Sequence, residues 1–323
     1  MNQRIHSIEY IRGLAMLGVV GIHTGSELLS NPQANMHLFA VLEIVSRFSV
    51  PIFFFVSAFS LFRQYPLDGP FDAGRFYRRR FARVLLPYLV GSVLYMLHYS
   101  WLTADWSIWL PILVYQFFGF GMASYQLYFL VILLWFYLLM PLWRPLTRKI
   151  LERPGLWLSL LFAGQIAFNY YSSYKLRPNF GLFYLDLLIQ YRMSWWLAHY
   201  LFLFLFGAVF AVRYEEIMVW LRRRRQLVTL FFFGSLCLLL AHYYYLLLAR
   251  HYSLEQAVNI VHQLSPGGML YTLAACLYLM LRFDGPLPAP LQAVLNSVGR
   301  YSYGIFWIHT LFIHYYQQGL TAL

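Results

Sequence analysis

The stretch YIRGLAMLGVVGIHTGSE, residues 10–27, sets an arginine, Arg12, and a histidine, His23, eleven positions apart in an otherwise apolar helix. Ionisable groups are costly in hydrocarbon. Within a membrane span they face the protein interior or a wet cavity, and they are functional candidates by default. Eleven residues at about 100° each make three turns plus roughly 20°, so both side chains share one stripe, about 16 Å apart along the axis. Glu9 and Glu27 fall within about 60° of that stripe. Gly18, Gly21 and Gly25 take the opposite face, where small residues let another helix come close.

The rest of the chain repeats the apolar theme. Of 323 residues, 61% are hydrophobic and 11% charged, against about 25% charged in a soluble domain. Apolar stretches long enough to cross a bilayer recur from end to end, which predicts an all-α, polytopic transmembrane helical bundle in a single domain, 1–323. Spans are expected near 8–28, 36–63, 84–101, 107–121, 125–143, 155–172, 194–212, 226–249, 258–282 and 299–320. The stretch 107–121 is short and carries Pro111, so a half-span or re-entrant segment is the alternative there. The first span lacks an A-x-A-like cleavage site and is expected to be retained.

A net charge of +12 raises the question of nucleic acid. The arginines cluster at span ends instead, as the positive-inside rule and anionic headgroups require, so no nucleic-acid partner is expected. The basic stretches after the second span, at 144–154 and at 213–225 should all be cytoplasmic. That holds for nine crossings with a cytoplasmic N-terminus, if 107–121 does not cross. Cys237 and Cys276 sit in apolar spans without CxxC spacing, which suggests neither zinc nor a disulfide.

Several constellations could carry chemistry. His23 has the residue type of a general base at neutral pH. Glu27, one turn on, could orient its ring as a carboxylate does in a catalytic triad. The plainer reading is a histidine bonded between helices. Arg12 either snorkels to headgroups or presents a fixed charge that binds phosphate or orients a carbonyl. Glu43 and Arg47 have the i, i+4 spacing of an ion pair; alternatively one of them reaches the cavity of His23.

The segment 72–83 reads as an amphipathic helix on the cytoplasmic surface, with Arg75, Arg78, Arg79, Arg80 and Arg83 interleaved with aromatics. Arginines three apart are helical neighbours, so Arg75 with Arg78 and Arg80 with Arg83 could each grip a phosphate. Topology signalling is the alternative. Ser302 and His309 share one face of the last span, as ligands or as interhelical glue. The loop 172–192 is the longest on the non-cytoplasmic side and mixes aromatics with Asn179, Asp186, Gln190 and Arg192. No metal-binding spacing, P-loop, G-x-S-x-G or G-x-G-x-x-G occurs, so no metal and no permanently bound cofactor are expected.

Five stretches in order resemble the integral-membrane acyltransferase 3 family. YIRGLAMLGVVGIH is similar to its first helix, with Arg12, ten residues, then His23. RFSVPIFFFVSAFSLF is similar to its second. RRRFARVLLPY resembles its R-x-x-R before proline-tyrosine, at Arg80, Arg83, Pro87 and Tyr88. QLYFLVILLWFYLLMPL and GRYSYGIFWIHTLF resemble its middle and last helices, the latter carrying Ser302, Gly304 and His309. Two departures stand out: alanine follows Ser57 where many relatives have glycine, and Gln126 stands where many have histidine.

The resemblance implies an acyl-CoA-dependent O-acyltransferase of cell-envelope or extracellular glycans, multi-pass in the plasma (inner) membrane. It also implies ten crossings, against the nine expected from charge. Acyl-CoA, with acetyl as the expected acyl group, would be the co-substrate, and a glycan or lipid-linked sugar the acceptor, among membrane lipids. Catalysis is expected from His23, Glu27 and Arg12, and donor binding from Arg75, Arg78, Arg79, Arg80 and Arg83. Glu43, Arg47, Ser302 and His309 are candidates for acceptor or oxyanion contacts. The rival from another class is a proton-coupled transporter or flippase for a sugar or lipid-linked glycan, which midplane His, Glu and Arg would also suit.

Overall fold

A computed structural model describes residues 5–28 and 35–321, together with their side chains except at 26–28, 320 and 321. The described residues form helices and no strand, as a chain that must satisfy its own backbone in lipid requires. Helix α1 (His6–Leu28) is followed by α2 (Met36–Val45) and α3 (Ser49–Gln64), one apolar run broken by a turn at Ser46–Phe48. Asn35 starts α2 by accepting the Leu38 amide at 3.0 Å.

Asp72 caps α4 (Ala73–Arg80) through the Arg75 amide at 2.9 Å. The helix then runs through a π-helical turn, Phe81–Leu85, into α5 (Leu86–Thr103). The surface helix expected at 72–83 is therefore the first part of a 31-residue helix, Ala73–Thr103, rather than a separate element. Ala104, at φ 54°, ends it in the left-handed conformation.

Next come α6 (Pro111–Gly119), α7 (Tyr128–Leu138) and α8 (Met140–Glu152). At 1.5 Å per residue, α6 spans about 13 Å, less than half of a bilayer's hydrocarbon. Its end meets α5 at Tyr88, whose hydroxyl donates to the Phe118 carbonyl at 2.6 Å. Gln126 meets α5 two turns further on, at Tyr95. The chain therefore turns back on itself between α6 and α7, around Gly121 at φ +69°. The expected span 125–143 divides: α7 and α8 meet at 72°.

Helix α9 (Pro154–Tyr170) ends in a second π turn, Tyr171–Lys175, before the short α10 (Phe183–Gln190) and α11 (Arg192–Trp195). Helix α12 (Leu201–Val212) bends by 96° into α13 (Tyr214–Arg223), and α14 (Arg225–Leu248) follows. The expected span 258–282 is also two elements, α15 (Leu254–Ile260) and α16 (Pro266–Arg282), because Ser265 caps a new helix with Pro266 at its first position. Helix α17 (Ala289–Thr321) is the last described element. It starts ten residues before the expected 299, since its first turns are too polar to register as a span. Among the described residues, three helices are long and apolar enough to cross a bilayer on their own, and up to five spans result if each bent pair counts as one.

The three basic loops interlock at one end of the bundle. Arg144 donates to the carbonyls of Tyr65, Pro66, Leu67 and Gly69 at 2.9–3.0 Å. Arg213 reaches the Leu151 carbonyl at 3.2 Å, and Arg222 pairs with Asp284 at 2.8 Å. At the opposite end, His37 bonds the Tyr244 hydroxyl, and Tyr174 donates to the Ile260 carbonyl. The shared end is what the charge distribution requires.

Lipid offers helices no hydrophobic reason to associate, so close packing and buried polar bonds must hold them. Helices α1 and α17 show both. A Cβ on Gly13 would fall on the backbone carbonyl of Leu295, and one on Gly299 on that of Glu9. Gly18 faces Ser49 of α3, and Gly25 faces Phe39 of α2, so the glycine face of α1 packs on that pair.

Candidate active site

One cavity of about 300 Å³ runs along the inner face of α1. Arg12 lines it towards the arginine-bearing end and His23 towards the other. Its side walls are apolar, from Val50, Phe53, Phe129 and Leu133 among others. The two charged residues of the opening stretch thus share one cavity, as a common helical stripe dictates.

Arg12 donates to the Ser60 hydroxyl at 2.9 Å, and Ser60 in turn donates to the Val56 carbonyl at 2.8 Å. The guanidinium is therefore held on α3 rather than drawn out to the surface. Arg300, at the start of the α17 wall, lines the same end. Arg80 lies over the ring of Tyr137, 4.8 Å from its centroid, and Tyr137 lines the cavity. Three guanidiniums thus gather around one mouth.

The other cluster arginines behave differently. Arg75, Arg78, Arg79 and Arg83 are exposed, while Arg80 is half-buried. The π turn at Phe81–Leu85 lies between Arg80 and Arg83. A π-helix takes more residues per turn than an α-helix, so positions three apart no longer overlie. Arg75 is held by Asp72 at 3.6 Å, through an exposed pair.

His23 meets His309 of α17. Its Nδ1 lies 3.0 Å from His309 Nε2. His309 is buried, and its Nδ1 lies 3.0 Å and 2.9 Å from the carbonyl oxygens of Ile305 and Phe306. The register follows from the glycine contacts. Gly299 lies against Gly13, and the offset 299 − 13 = 286 equals 309 − 23 = 286. Parallel helices locked at the glycines bring the two histidines level ten residues on.

The cavity ends near His23 in a polar network. Gln126, buried, donates from Nε2 to the hydroxyls of Tyr95 and Thr310 at 3.1 Å each, and accepts from Ser124 at 2.5 Å. Tyr125 sets its ring edge-on against His23, with centroids 4.6 Å apart.

The remaining expected residues fall as follows. The side chain of Glu27 lies outside the described residues. Ser302 lines the cavity, and its hydroxyl donates to the Gly299 carbonyl of its own helix at 2.9 Å. Glu43 and Arg47 form a mostly buried ion pair at 2.8 Å, their side chains 12% and 10% exposed. Arg47 also donates to the Val258 carbonyl at 3.0 Å and to Gln263 at 3.4 Å. The pair ties the break between α2 and α3 to α15 and does not line the cavity.

In the loop 172–192, Arg192 is buried against the Ser172 carbonyl at 3.0 Å, and Asp186 accepts the amides of Phe180 and Gly181. Sequence reasoning assigned no role to Arg300, Tyr137 or Tyr125, and noted Gln126 only as a departure. A glutamine opening a long apolar run was the one visible signal.

The described residues thus form a helical membrane bundle with Arg12 and His23 lining one cavity. The family model for the acyltransferase domain, acyltransferase 3, matches residues 5–323. The chain belongs to that family and is a membrane acyltransferase. No curated protein and no solved structure matches it.

Proposed function

We propose that the protein moves an acyl group, acetyl in the simplest case, from acyl-CoA to a hydroxyl of a cell-envelope or extracellular glycan. The observation that supports this reading best is the single cavity joining Arg12 to His23. In this reading the arginine-bearing end is cytoplasmic, as the positive-inside rule asks, and the membrane is the plasma membrane. CoA phosphates dock on the exposed arginines, with Arg80, Arg12 and Arg300 at the mouth. The pantetheine arm lies along the apolar walls, over the roughly 16 Å of helix between Arg12 and His23. A volume of about 300 Å³ is at the small end of ligand sites, which suits a narrow arm with a short acyl group.

At the far end, His23 takes the proton of the acceptor hydroxyl as the oxygen attacks the thioester carbonyl. The C–S bond breaks, and the proton on His23 passes to the departing thiolate, giving free CoA. Of the four candidates for acceptor or oxyanion contacts, Ser302 alone lines the cavity. Arg47 lies outside it, and His309 is engaged with His23. Glu27 remains a proposed catalytic residue on α1. Family membership favours this chemistry over transport.

The test is thiol release from acetyl-CoA by the full-length protein in lipid nanodiscs, with a glycan acceptor. His23→Ala is expected to abolish release while acetyl-CoA still binds. Release at the parent rate would overturn the reading.

A further inference from the structure

The contacts of His309 decide where its proton sits. Two carbonyl oxygens within 3.0 Å of Nδ1 can only accept, so Nδ1 carries hydrogen. A neutral His309 then has only a lone pair on Nε2. Across the 3.0 Å gap stands Nδ1 of His23, and the proton shared between the rings must belong to it. A neutral His23 with its proton on Nδ1 has its lone pair on Nε2. Which nitrogen of a histidine serves as base is set by the bond that the other one makes.

We propose that His309 is a positioning residue that fixes His23 as its Nδ1–H tautomer and so makes Nε2 the nitrogen that takes the acceptor proton. The inference rests on the acyl-transfer reading above. When Nε2 of His23 takes the hydroxyl proton, the imidazolium keeps its Nδ1–H on His309 Nε2, whose lone pair faces the new charge. No proton moves to His309. When the thiolate leaves, the proton on His23 Nε2 passes to sulfur, and both rings return to their starting state.

The pairing also has a purpose that an ordinary core histidine lacks. His309 is anchored twice within its own helix, by the carbonyls three and four residues before it. Its ring is therefore fixed on α17 independently of α1. The α1–α17 contact at Gly13 and Gly299 then brings that fixed acceptor to His23. A carboxylate could hold the same tautomer at the cost of a second charge in hydrocarbon, whereas a histidine does so while neutral.

Two measurements on the full chain test this. The first is solid-state nitrogen NMR of histidine-labelled protein in nanodiscs, with the rings assigned by comparison with His23→Asn and His309→Gln. Both rings are expected as Nδ1–H tautomers, whereas unconstrained histidine prefers Nε2–H. His23 found as Nε2–H overturns the proposal, and this readout needs no active variant.

The second is steady-state thiol release. His309→Leu is expected to lower kcat by about 10²- to 10⁴-fold, the range for misplacing a general base, with the acetyl-CoA KM unchanged. His309→Gln puts an amide oxygen where Nε2 was and is expected to recover at least about tenfold of that loss. His309→Leu at the parent rate overturns the proposal and leaves the acyl-transfer reading standing. An unsubstituted protein that shows both Nδ1–H rings but releases no thiol overturns the acyl-transfer reading and leaves the tautomer assignment standing.

Discussion

Gly13→Ala should disable the protein without touching the cavity. A Cβ at position 13 would lie 3.0 Å from the Leu295 carbonyl carbon and 3.1 Å from its Cα, with the carbonyl oxygen nearer still. Carbon atoms prefer about 3.5–4.0 Å, so the two backbones must separate by roughly 0.5–1 Å. Added to the 3.0 Å between His23 and His309, that gives about 3.5–4 Å, past the working range of a hydrogen bond. Overpacking of this kind costs about 1–3 kcal/mol of stability. A 1 Å misplacement of a catalytic group costs on the order of 100-fold in rate, or about 2.7 kcal/mol of activation free energy.

The assay is thiol release in nanodiscs alongside thermal unfolding of the same preparation. We expect kcat to fall by about 100-fold with acetyl-CoA KM little changed, since Arg12 keeps its bond to Ser60. A variant that works within about threefold of the parent, against the 100-fold expected, would refute the claim that the glycine contact sets the histidine pair.

Two further outcomes follow from the same geometry. Arg80→Ala is expected to raise the acetyl-CoA KM by about tenfold or more, the scale of one lost charge-assisted contact. Arg83→Ala should raise it less, because only Arg80 lies over the cavity wall; steady-state kinetics of the two variants decide it. Glu43→Leu or Arg47→Leu alone should destabilise by about 3–5 kcal/mol through the stranded partner. The double replacement should cost less than either, and acetyl-CoA KM should not change in any of the three. Thermal unfolding and kinetics read both.

Hydropathy made much of this fold legible. The expected span 36–63 is Met36–Gln64, and 226–249 is Arg225–Leu248. What hydropathy cannot show is a change of direction inside an apolar run. The bend at Leu139 carries no polar signal, whereas the turn at Ser46–Phe48 holds Arg47 and the bend at Arg213 falls where the expected span ends. Ser265-Pro266 did carry one, a helix start inside what reads as a single span.

The stripe of Arg12 and His23 could be read from sequence because helical periodicity relates residues on one element. His309 was visible as a polar residue in a span. Its pairing with His23 was not, since no periodicity relates positions 286 apart. The split between Arg80 and Arg83 was hidden because residue spacing presumes an α-helix, and the chain there is a π-helix.

The pairing of α1 with α17 has a consequence for how the protein comes into being. The histidines that meet in the cavity lie 286 residues apart, 309 − 23, and every other described helix is synthesised between them. Through most of translation α1 waits in the bilayer without the helix that covers Glu9 and Gly13. Contacts of such long range form late and slowly. A chain stopped between α5 and α17 contains Arg12, His23 and the arginine helix, and still lacks the partner of His23. Synthesis of α17 is therefore the event that brings His309 to His23.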